Sequence, residues 1–273
     1  KAFKTNAHLI KKVARERIRD EILKILASDH PYQGFVELKN SGLMREILPE
    51  LEKEFGVEQK SPGRHHIYDV GTHSFLALKE CRASDPIVRL ATLIHDIGKP
   101  PTYKKMTNGT ITFYNHEVVG AKIASRIAKR LRLSKKQSEK LITLVRWHQF
   151  TVDERQTDSA IRRFIGRVGQ ENVQDMLELR VADRLGGGAR ETSWRLEEFK
   201  RRLIEVQKQP FSIRDLKIGG HEVMKELNLK PGPRVGGVLK KLYQEVVAKK
   251  LENNKKTLLK RLKEIKSPPV DKN

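Results

Sequence analysis

Apolar residues recur at three- and four-residue intervals along almost the entire chain, and this periodicity restricts the fold more than any other feature. Near the start, Ile10, Ala14, Ile18, Ile22 and Ile25 follow this spacing. Such spacing places apolar side chains along one face of an α-helix, which must then pack against other helices. The pattern returns in successive segments up to residue 265. The sequence therefore predicts an all-α fold.

One short segment departs from the helical pattern. Asn108 and Gly109 lie between residues 104–106 and 110–114, and an Asn-Gly pair in that setting is typical of a tight turn between two strands. We therefore expect one small β-hairpin in an otherwise helical chain.

Local signals also predict where several helices begin and end. Ser134 and Gln137 form a capping-box pattern at the start of a helix. Gly98, followed by two prolines, predicts that the preceding helix stops near Asp96. The glycines at 186–188 predict the end of another helix.

The charge balance points to a polyanionic partner. Among 273 residues, 56 Lys and Arg outnumber 34 Asp and Glu, so the formal net charge is +22. Such an excess predicts binding of nucleic acid, because Lys and Arg release counterions from phosphate backbones; a solvated basic face is the alternative. The 37% of hydrophobic residues supply a sizeable core and exclude a disordered chain.

The sequence gives few indications of the cellular compartment, and they agree with one another. Cys81 is the single cysteine, which excludes an intrachain disulfide and a cysteine-based zinc site. No apolar run approaches the roughly 18 residues of a membrane span. Glu16 and Asp20 argue against a signal or transit peptide. We expect a cytoplasmic protein with no membrane partner, and the sequence leaves the oligomeric state open.

Six residues with metal-binding side chains fall at or near the ends of separate predicted helices. They are His73, His95, Asp96, His116, His148 and Asp183. Imidazole and carboxylate bind divalent first-row metals and Mg²⁺, so one or two ions of Mg²⁺, Mn²⁺ or Ni²⁺ are predicted. The principal ion would take four ligands, namely His73, His95, Asp96 and Asp183. A second ion would lie between His116 and His148, with Asp96 as the bridge.

The chemistry predicted for this site is phosphoester hydrolysis, because a metal pair activates water and neutralises a phosphoryl oxygen. Asp96, Lys99 and His116 are the predicted catalytic residues, and Lys99 would meet the phosphate. For each single histidine the alternative is a core residue that is hydrogen-bonded to backbone. Six such residues in one chain favour the metal site.

Eight further basic residues are predicted to contact RNA: Arg64, Lys122, Arg126, Lys129, Arg130, Arg162, Arg163 and Arg234. Four of them lie in the strongly basic stretch 122–140, for which a solvated helix is the alternative to a backbone-binding face. For Arg64 the alternative is a solvated polar loop. For Arg162 and Arg163 it is pairing with nearby carboxylates, and for Arg234 it is a simple helix entry. Aromatic residues make up only 6%, which favours shape and charge over base stacking for recognition.

Two levels of family resemblance follow from these motifs. His73, His95-Asp96 and Asp183 match the motif of the HD-domain metal-dependent phosphohydrolases, and residues 112–117 resemble their extended form. Five segments resemble bacterial CCA-adding enzymes, the tRNA nucleotidyltransferases: ERIRDEILKI at 16–25, GLMREILPEL at 42–51, HDIGKP at 95–100, GGHEVM at 219–224 and PGPRVG at 231–236. The similarity extends from about residue 4 to residue 261.

This resemblance implies an HD-domain helical bundle with a flanking helical neck and tail. The neck would span residues 1–60, the HD domain 61–190 and the basic tail 191–273. The resemblance also implies the activity of the HD part of the multifunctional members, which hydrolyses 2′,3′-cyclic phosphates, 2′-nucleotides and simple phosphomonoesters with a divalent metal. We therefore predict a divalent-metal-dependent phosphohydrolase that acts on RNA, in particular on tRNA 3′ ends.

The sequence departs from the CCA-adding enzymes in one respect. The Gly-Gly…Arg-Asp element and paired aspartates of their catalytic head match no segment here, and residues 186–190 are only a superficial echo. Nucleotidyltransferase activity is therefore not expected from this chain alone. The alternative function is the tRNA-binding body and tail of a CCA-adding enzyme, with a separate head as partner. A third hypothesis is a small-nucleotide phosphatase whose basic charge is incidental.

Overall fold

The computed structural model describes residues 2–59, 68–150, 152–153, 155–207, 213–248 and 250–266. Helices dominate these residues, and the sheet found among them has two strands. This confirms the predicted all-α class with one small hairpin. None of the described helices combines the length and the apolar character that a bilayer crossing needs.

The chain divides into two compact units, which are described separately. The first unit comprises residues 1–152 and 163–196, and the second comprises 153–162 and 197–273. The functional division predicted at residues 60 and 190 stays a prediction.

The secondary structure begins with helices that precede and surround the hairpin. They are α1 (Ala2–Asn6), α2 (Arg15–Ala27), α3 (Pro31–Asn40), α4 (Leu43–Ile47), α5 (Pro49–Glu52), α6 (Val70–Glu80), α7 (Pro86–Leu93) and α8 (Lys99–Thr102). The strands are β1 (Lys104–Lys105) and β2 (Ile111–Thr112). The later helices are α9 (His116–Arg130), α10 (Lys135–Trp147), α11 (Asp158–Val168), α12 (Val173–Gly186), α13 (Trp194–Gln207), α14 (Gly220–Leu227), α15 (Pro233–Val247) and α16 (Lys255–Lys266).

Helix α7 is the centre of the first unit. Its Val88, Leu90 and Leu93 are fully buried, because α2, α6, α10 and α12 pack around it. Burying one leucine of this kind contributes about 2 kcal/mol. The turn that follows α7 is therefore held in the middle of the bundle.

Two glycines allow helices of the first unit to approach backbone to backbone. A Cβ atom at Gly98 would lie 2.0 Å from the carbonyl oxygen of His116, and one at Gly186 would lie 2.5 Å from the backbone nitrogen of Ala77. The predicted helix end near Asp96 is wrong, since α7 already ends at Leu93. Gly98 keeps a negative φ of −86°, so the close approach to α9 is what requires a glycine there.

The hairpin and the capping box both form as predicted. Strands β1 and β2 pair antiparallel, and Gly109 in the turn has φ of 79°. The Ser134 hydroxyl accepts a hydrogen bond from the Gln137 backbone amide at 3.2 Å, and the Gln137 side chain accepts one from the Ser134 amide at 2.9 Å. The hairpin leads the chain directly into α9.

The second unit has a smaller apolar core of its own. Helices α14, α15 and α16 surround it, and the periodic residues Val235, Leu242, Leu258 and Leu262 are buried there as the spacing predicts. At its surface, Arg261 forms a two-pronged ion pair with Glu245 at 2.8 and 2.9 Å.

Candidate metal centre

The six residues predicted as metal ligands lie together in the first unit. Their ligand atoms form two groups, and the atoms within each group lie within 4.8 Å of one another. The groups are His73, His95 and Asp183, and Asp96, His116 and His148. Residues up to 110 positions apart in sequence therefore meet at one point.

The six candidate ligands come from five different helices or helix ends of the bundle. His73 lies within α6, His95 and Asp96 in the turn after α7, His116 at the start of α9, His148 at the end of α10 and Asp183 in the last turn of α12. The packing of these helices around α7 and the close approach at Gly98 bring the ends together.

Asp96 connects the two groups. Its Oδ2 lies 3.3 Å from Nε2 of His95 and 3.8 Å from Nε2 of His73. Its Oδ1 faces the other side, 3.4 Å from Nε2 of His116 and 3.6 Å from Nε2 of His148. One carboxylate thus presents one oxygen to each group, which is the arrangement that a bridging ligand requires.

Three of the histidines are oriented by backbone carbonyls. Their Nδ1 atoms lie against the carbonyl three residues earlier: His95 to Thr92 at 2.7 Å, His116 to Phe113 at 2.9 Å and His148 to Val145 at 2.8 Å. A carbonyl can only accept a hydrogen bond, so each Nδ1 carries the hydrogen. In the neutral form of each ring, Nε2 then carries a lone pair directed into the centre, which is the tautomer that binds metals.

This donor set fits a divalent cation. Nε2 of His116 and Nε2 of His148 lie 3.3 Å apart, and both bear lone pairs when their Nδ1 atoms carry the hydrogens. Two lone pairs at that distance repel each other, and a shared cation removes the repulsion. Neutral imidazoles with buried carboxylates are ligands for first-row divalent metals.

The electrostatics of the centre stabilise its carboxylates in the charged form. Burial opposes ionisation of Asp96, but His95 and Lys99 outweigh it and lower the pKa of Asp96 well below its ordinary value. Burial likewise opposes ionisation of Asp183, whose pKa is lowered by its hydrogen bonds to His73 and His95. Burial disfavours a charged His95, but Asp96 and Asp183 raise its pKa well above the ordinary value.

Lys99, predicted to meet a phosphate, is held by protein groups in the wall of the cleft. Its Nζ lies 2.6 Å from Asp96 Oδ2 and donates a hydrogen bond to Gln59 Oε1 at 2.8 Å. The Gln59 amide in turn donates to the carbonyl of Tyr68 at 3.2 Å. Gln59 was missed from the sequence, because no local pattern joins residues 40 positions apart.

An open cleft of about 500 Å³ gives access to the centre. Besides five of the six candidate ligands it is lined by Lys99, Tyr114 and Arg180, and Tyr114 is 75% exposed. Arg180 was also missed, although its position three residues before Asp183 places both on one face of α12, where they lie 3.5 Å apart. Glu54 is a further buried acid without a sequence signal, and burial raises its pKa well above the ordinary value.

The residues predicted to bind RNA are distributed over both units. Lys122, Arg126 and Lys129 are exposed on one face of α9, whereas the Arg130 guanidinium is bound to Glu50 at 2.6 and 2.9 Å. Arg163 and Arg234 are exposed and Arg162 is partly buried. Arg64 lies outside the described residues.

The fold and site define a basic, all-α protein with a buried histidine–aspartate centre, and comparison with known sequences gives its family. Residues 110–262 match the family described as "tRNA nucleotidyltransferase domain 2 putative". Residues 1–55 match "Probable RNA and SrmB- binding site of polymerase A". The first match covers more than half of the chain, which therefore belongs to the tRNA nucleotidyltransferase domain 2 family. This confirms the resemblance to the tRNA nucleotidyltransferases that the sequence motifs indicated.

Individual relatives agree with this assignment. The chain is 36% identical over 244 residues to the A-adding tRNA nucleotidyltransferase of Deinococcus radiodurans, covering 85% of this chain and 54% of that protein. It is 36% identical over 236 residues to the CC-adding tRNA nucleotidyltransferase of Thermus thermophilus, covering 85% and 52%. It is 30% identical over 199 residues to the Multifunctional CCA protein of Halorhodospira halophila, covering 70% and 47%. The chain thus spans about half the length of these relatives.

These relatives overturn the enzyme class predicted from the sequence. The A-adding and CC-adding proteins are named as nucleotidyltransferases, which are transferases and not hydrolases. The prediction of a metal-dependent phosphohydrolase is therefore wrong. The ligand set that suggested hydrolysis is present, but the same residue types can hold a cation without hydrolysing an ester.

Proposed function

We propose that this chain is the tRNA-binding body and tail of a nucleotide-adding tRNA nucleotidyltransferase and holds tRNA for a nucleotidyltransferase head. The observation that carries this proposal is the similarity to the A-adding and CC-adding relatives, which extends over 85% of the chain. The match of residues 1–55 to an RNA-binding site supports an RNA partner independently. The net charge of +22 supplies the attraction for a polyanion.

The exposed face of α9 is the surface that we assign to the tRNA backbone. Lys122, Arg126 and Lys129 lie one helical turn apart on this face and form no salt bridge within the described residues. Cations without a carboxylate partner interact with phosphate without first breaking an ion pair. They should therefore contribute more to RNA binding than the paired cations elsewhere on the surface.

The two histidine–aspartate groups are assigned as sites for divalent cations, of which Mg²⁺, Mn²⁺ and Ni²⁺ are the ones to test. His73, His95 and Asp183 would hold one ion, and His116 and His148 would hold another with Asp96. A bound cation supplies positive charge that compensates the buried carboxylates and attracts a phosphate of the RNA. Asp96 and His116 serve as ligands in this proposal, and Lys99 orients the carboxylate of Asp96.

Binding of tRNA as a function of salt concentration tests the proposal. Fluorescence anisotropy should detect binding of labelled tRNA whose affinity falls steeply as salt rises. Changing Lys122, Arg126 and Lys129 together to Gln should weaken binding and reduce the slope of log K against log salt by about 2 to 3, since three phosphate contacts are lost. A wild-type chain that binds no tRNA at low salt would overturn the proposal.

A matched control removes the same charge from cations that already have partners. Lys24, Lys200 and Lys255 form salt bridges with Glu21, Glu197 and Glu222. Changing these three lysines to Gln lowers the net charge by the same amount, but the salt slope should change by less than 1. Equal effects of the two triple variants would mean that net charge alone, and not the α9 face, governs binding.

A further inference from the structure

The cleft that leads to the metal centre has an exposed aromatic ring in its wall. Tyr114 is 75% exposed, the highest value for a large apolar side chain in the part of the chain that the structure describes. Within these residues its hydroxyl makes no hydrogen bond and its ring contacts no other ring or cation. A single exposed aromatic residue is common on protein surfaces, so the surroundings decide whether it belongs to a binding site.

Tyr114 lies in a turn that is tied to the metal centre. The backbone amide of His116 donates a hydrogen bond to the carbonyl of Phe113 at 3.2 Å, and Nδ1 of the His116 ring lies 2.9 Å from the same oxygen. Between them, Asn115 has a φ of 61°, a conformation that few residues other than glycine and asparagine adopt. The turn therefore holds the Tyr114 backbone in a fixed place beside His116.

Two carboxamide side chains line the same cleft. Asn115 precedes the candidate ligand His116, and Gln149 follows the candidate ligand His148. Both residues are exposed, and neither side chain forms a hydrogen bond within the described residues. A carboxamide has a donor and an acceptor side by side. The two residues can therefore bind a ligand that also presents donors and acceptors along one edge.

The cations in the wall of this cleft already have carboxylate partners. Nζ of Lys99 lies 2.6 Å from Asp96, and the Arg180 guanidinium lies 3.5 Å from Asp183. A phosphate that bound to either cation would first have to break an ion pair. The wall of the cleft thus offers a ring face and two carboxamides, which suit an uncharged, flat group with a hydrogen-bonding edge.

A nucleobase has these properties. Its face stacks on an aromatic ring, and its edge forms hydrogen bonds with side chains. An apolar side chain of a protein partner would cover the ring but would offer nothing to the carboxamides. The bases of a duplex are stacked and paired, so the base must belong to an unpaired nucleotide. The cleft, with a volume of about 500 Å³, is of the size that holds small ligands.

We propose that Tyr114, with Asn115 and Gln149, forms a subsite for the base of one unpaired nucleotide of an RNA strand. The subsite rests on the proposed function, because it takes RNA as the bound polymer. It differs from the α9 face in chemistry, since that face would contact backbone phosphates and this subsite contacts a base. The low aromatic content of the sequence favoured charge over stacking, and this subsite adds stacking at one position.

Two labelled RNA ligands of equal length and charge test this subsite. One is an adenine tetranucleotide, and the other is its abasic counterpart, which keeps the sugars and phosphates but has no bases. In fluorescence anisotropy at low salt, the wild-type chain should bind the adenine ligand roughly 10-fold more tightly, the gain expected for one base–aromatic stack. Tyr114→Ala should remove this preference by weakening binding of the adenine ligand alone. Gln149→Ala should weaken binding of the adenine ligand about 5-fold, through loss of a hydrogen bond to the base.

Two control variants show whether the effect belongs to this ring. Tyr114→Phe should keep the preference for the adenine ligand, because a phenyl ring still stacks. Trp194→Ala removes a ring that is 62% exposed but does not line this cleft, and it should also keep the preference. Tyr114→Ala should bind Mn²⁺ as tightly as the wild-type chain and unfold at the same temperature, since Tyr114 is exposed and is not a candidate ligand.

The possible results separate this inference from the proposed function. If Tyr114→Ala keeps the full preference for the adenine ligand, or the wild-type chain shows none, the subsite is overturned while tRNA binding stands. If Trp194→Ala loses the preference to the same extent, stacking is not specific to this cleft and the inference is wrong. If adenosine 5′-monophosphate competes as well as the tetranucleotide, the ligand is a free nucleotide and the assignment to an RNA strand is overturned. If the wild-type chain binds neither tetranucleotide nor tRNA, both proposals fail together.

Discussion

The two units of this protein differ in whether their described residues include buried charged groups. In the first unit, Asp96 and His95 are almost completely buried and face each other across the metal centre. In the second, pairs such as Arg261 with Glu245 lie at the surface around a small apolar core. Buried charges are tolerated only with closely placed partners, whereas surface ion pairs contribute little. The comparison indicates that the buried histidine and aspartate side chains suited to binding an ion are concentrated in the first unit, although basic residues occur throughout the chain.

The largest effect is expected when the buried charge of Asp96 is removed. Asp96→Asn keeps the shape of the side chain but removes the charge that faces both ligand groups. We expect at least a 100-fold loss of Mn²⁺ affinity, measured by calorimetry, because the bridging carboxylate is gone. Removing one partner from a buried charged cluster should also destabilise the metal-free protein by about 3 kcal/mol, measured by urea unfolding.

The matched control for this variant is Asp20→Asn, at an exposed position in the same unit whose side chain is 52% exposed. It should change neither Mn²⁺ binding nor stability by a measurable amount. If Asp96→Asn bound Mn²⁺ as tightly as the wild-type chain, the assignment of the cation to this cluster would fail.

This buried cluster also illustrates what can be predicted from sequence. The six candidate ligand residues follow from side-chain chemistry and position at helix ends, and their helices follow from apolar spacing; that they bind an ion stays a prediction. The contacts of Lys99 could not be predicted in this way. Its Nζ lies between Asp96 and Gln59, and the position of Gln59 depends on how distant segments of the chain pack. The reaction class was mispredicted for a different reason: a ligand set specifies an ion and not the reaction that the protein performs.

An intermediate effect is expected from adding a side chain at Gly98, where the backbone of α9 approaches closely and so positions His116. At Gly98 a Cβ atom would lie 2.0 Å from the His116 carbonyl oxygen, so Gly98→Ala must push α9 away. We expect a destabilisation of about 1–3 kcal/mol, and weaker Mn²⁺ binding because His116 moves with the helix. Thermal unfolding with and without Mn²⁺ measures both effects.

Gly236→Ala in the second unit is the corresponding control. Gly236 is exposed on α15, and nothing lies within 4 Å of a Cβ atom built there. This substitution should stabilise the protein by up to about 1 kcal/mol, because alanine is the better helix former. Destabilisation of similar size at both positions would show that the close approach at Gly98 is not special.

The smallest effect is expected at the surface of the second unit, and it depends on pH. The Glu222 carboxylate accepts a hydrogen bond from the Gly219 backbone amide at 3.0 Å and pairs with Lys255 at 3.2 Å, and these contacts lower its pKa from 4.5 to about 2. Because the folded pKa is below the unfolded one, the stabilisation is complete above about pH 4.5 and is lost as the pH falls towards 2. In Glu222→Gln this part of the pH dependence should disappear, so the stability difference from wild type should shrink as the pH falls from 6 to 2.5. A difference that is constant with pH would mean that Glu222 acts through packing and not through its charge. Surface ion pairs would then contribute nothing measurable to the stability of the second unit.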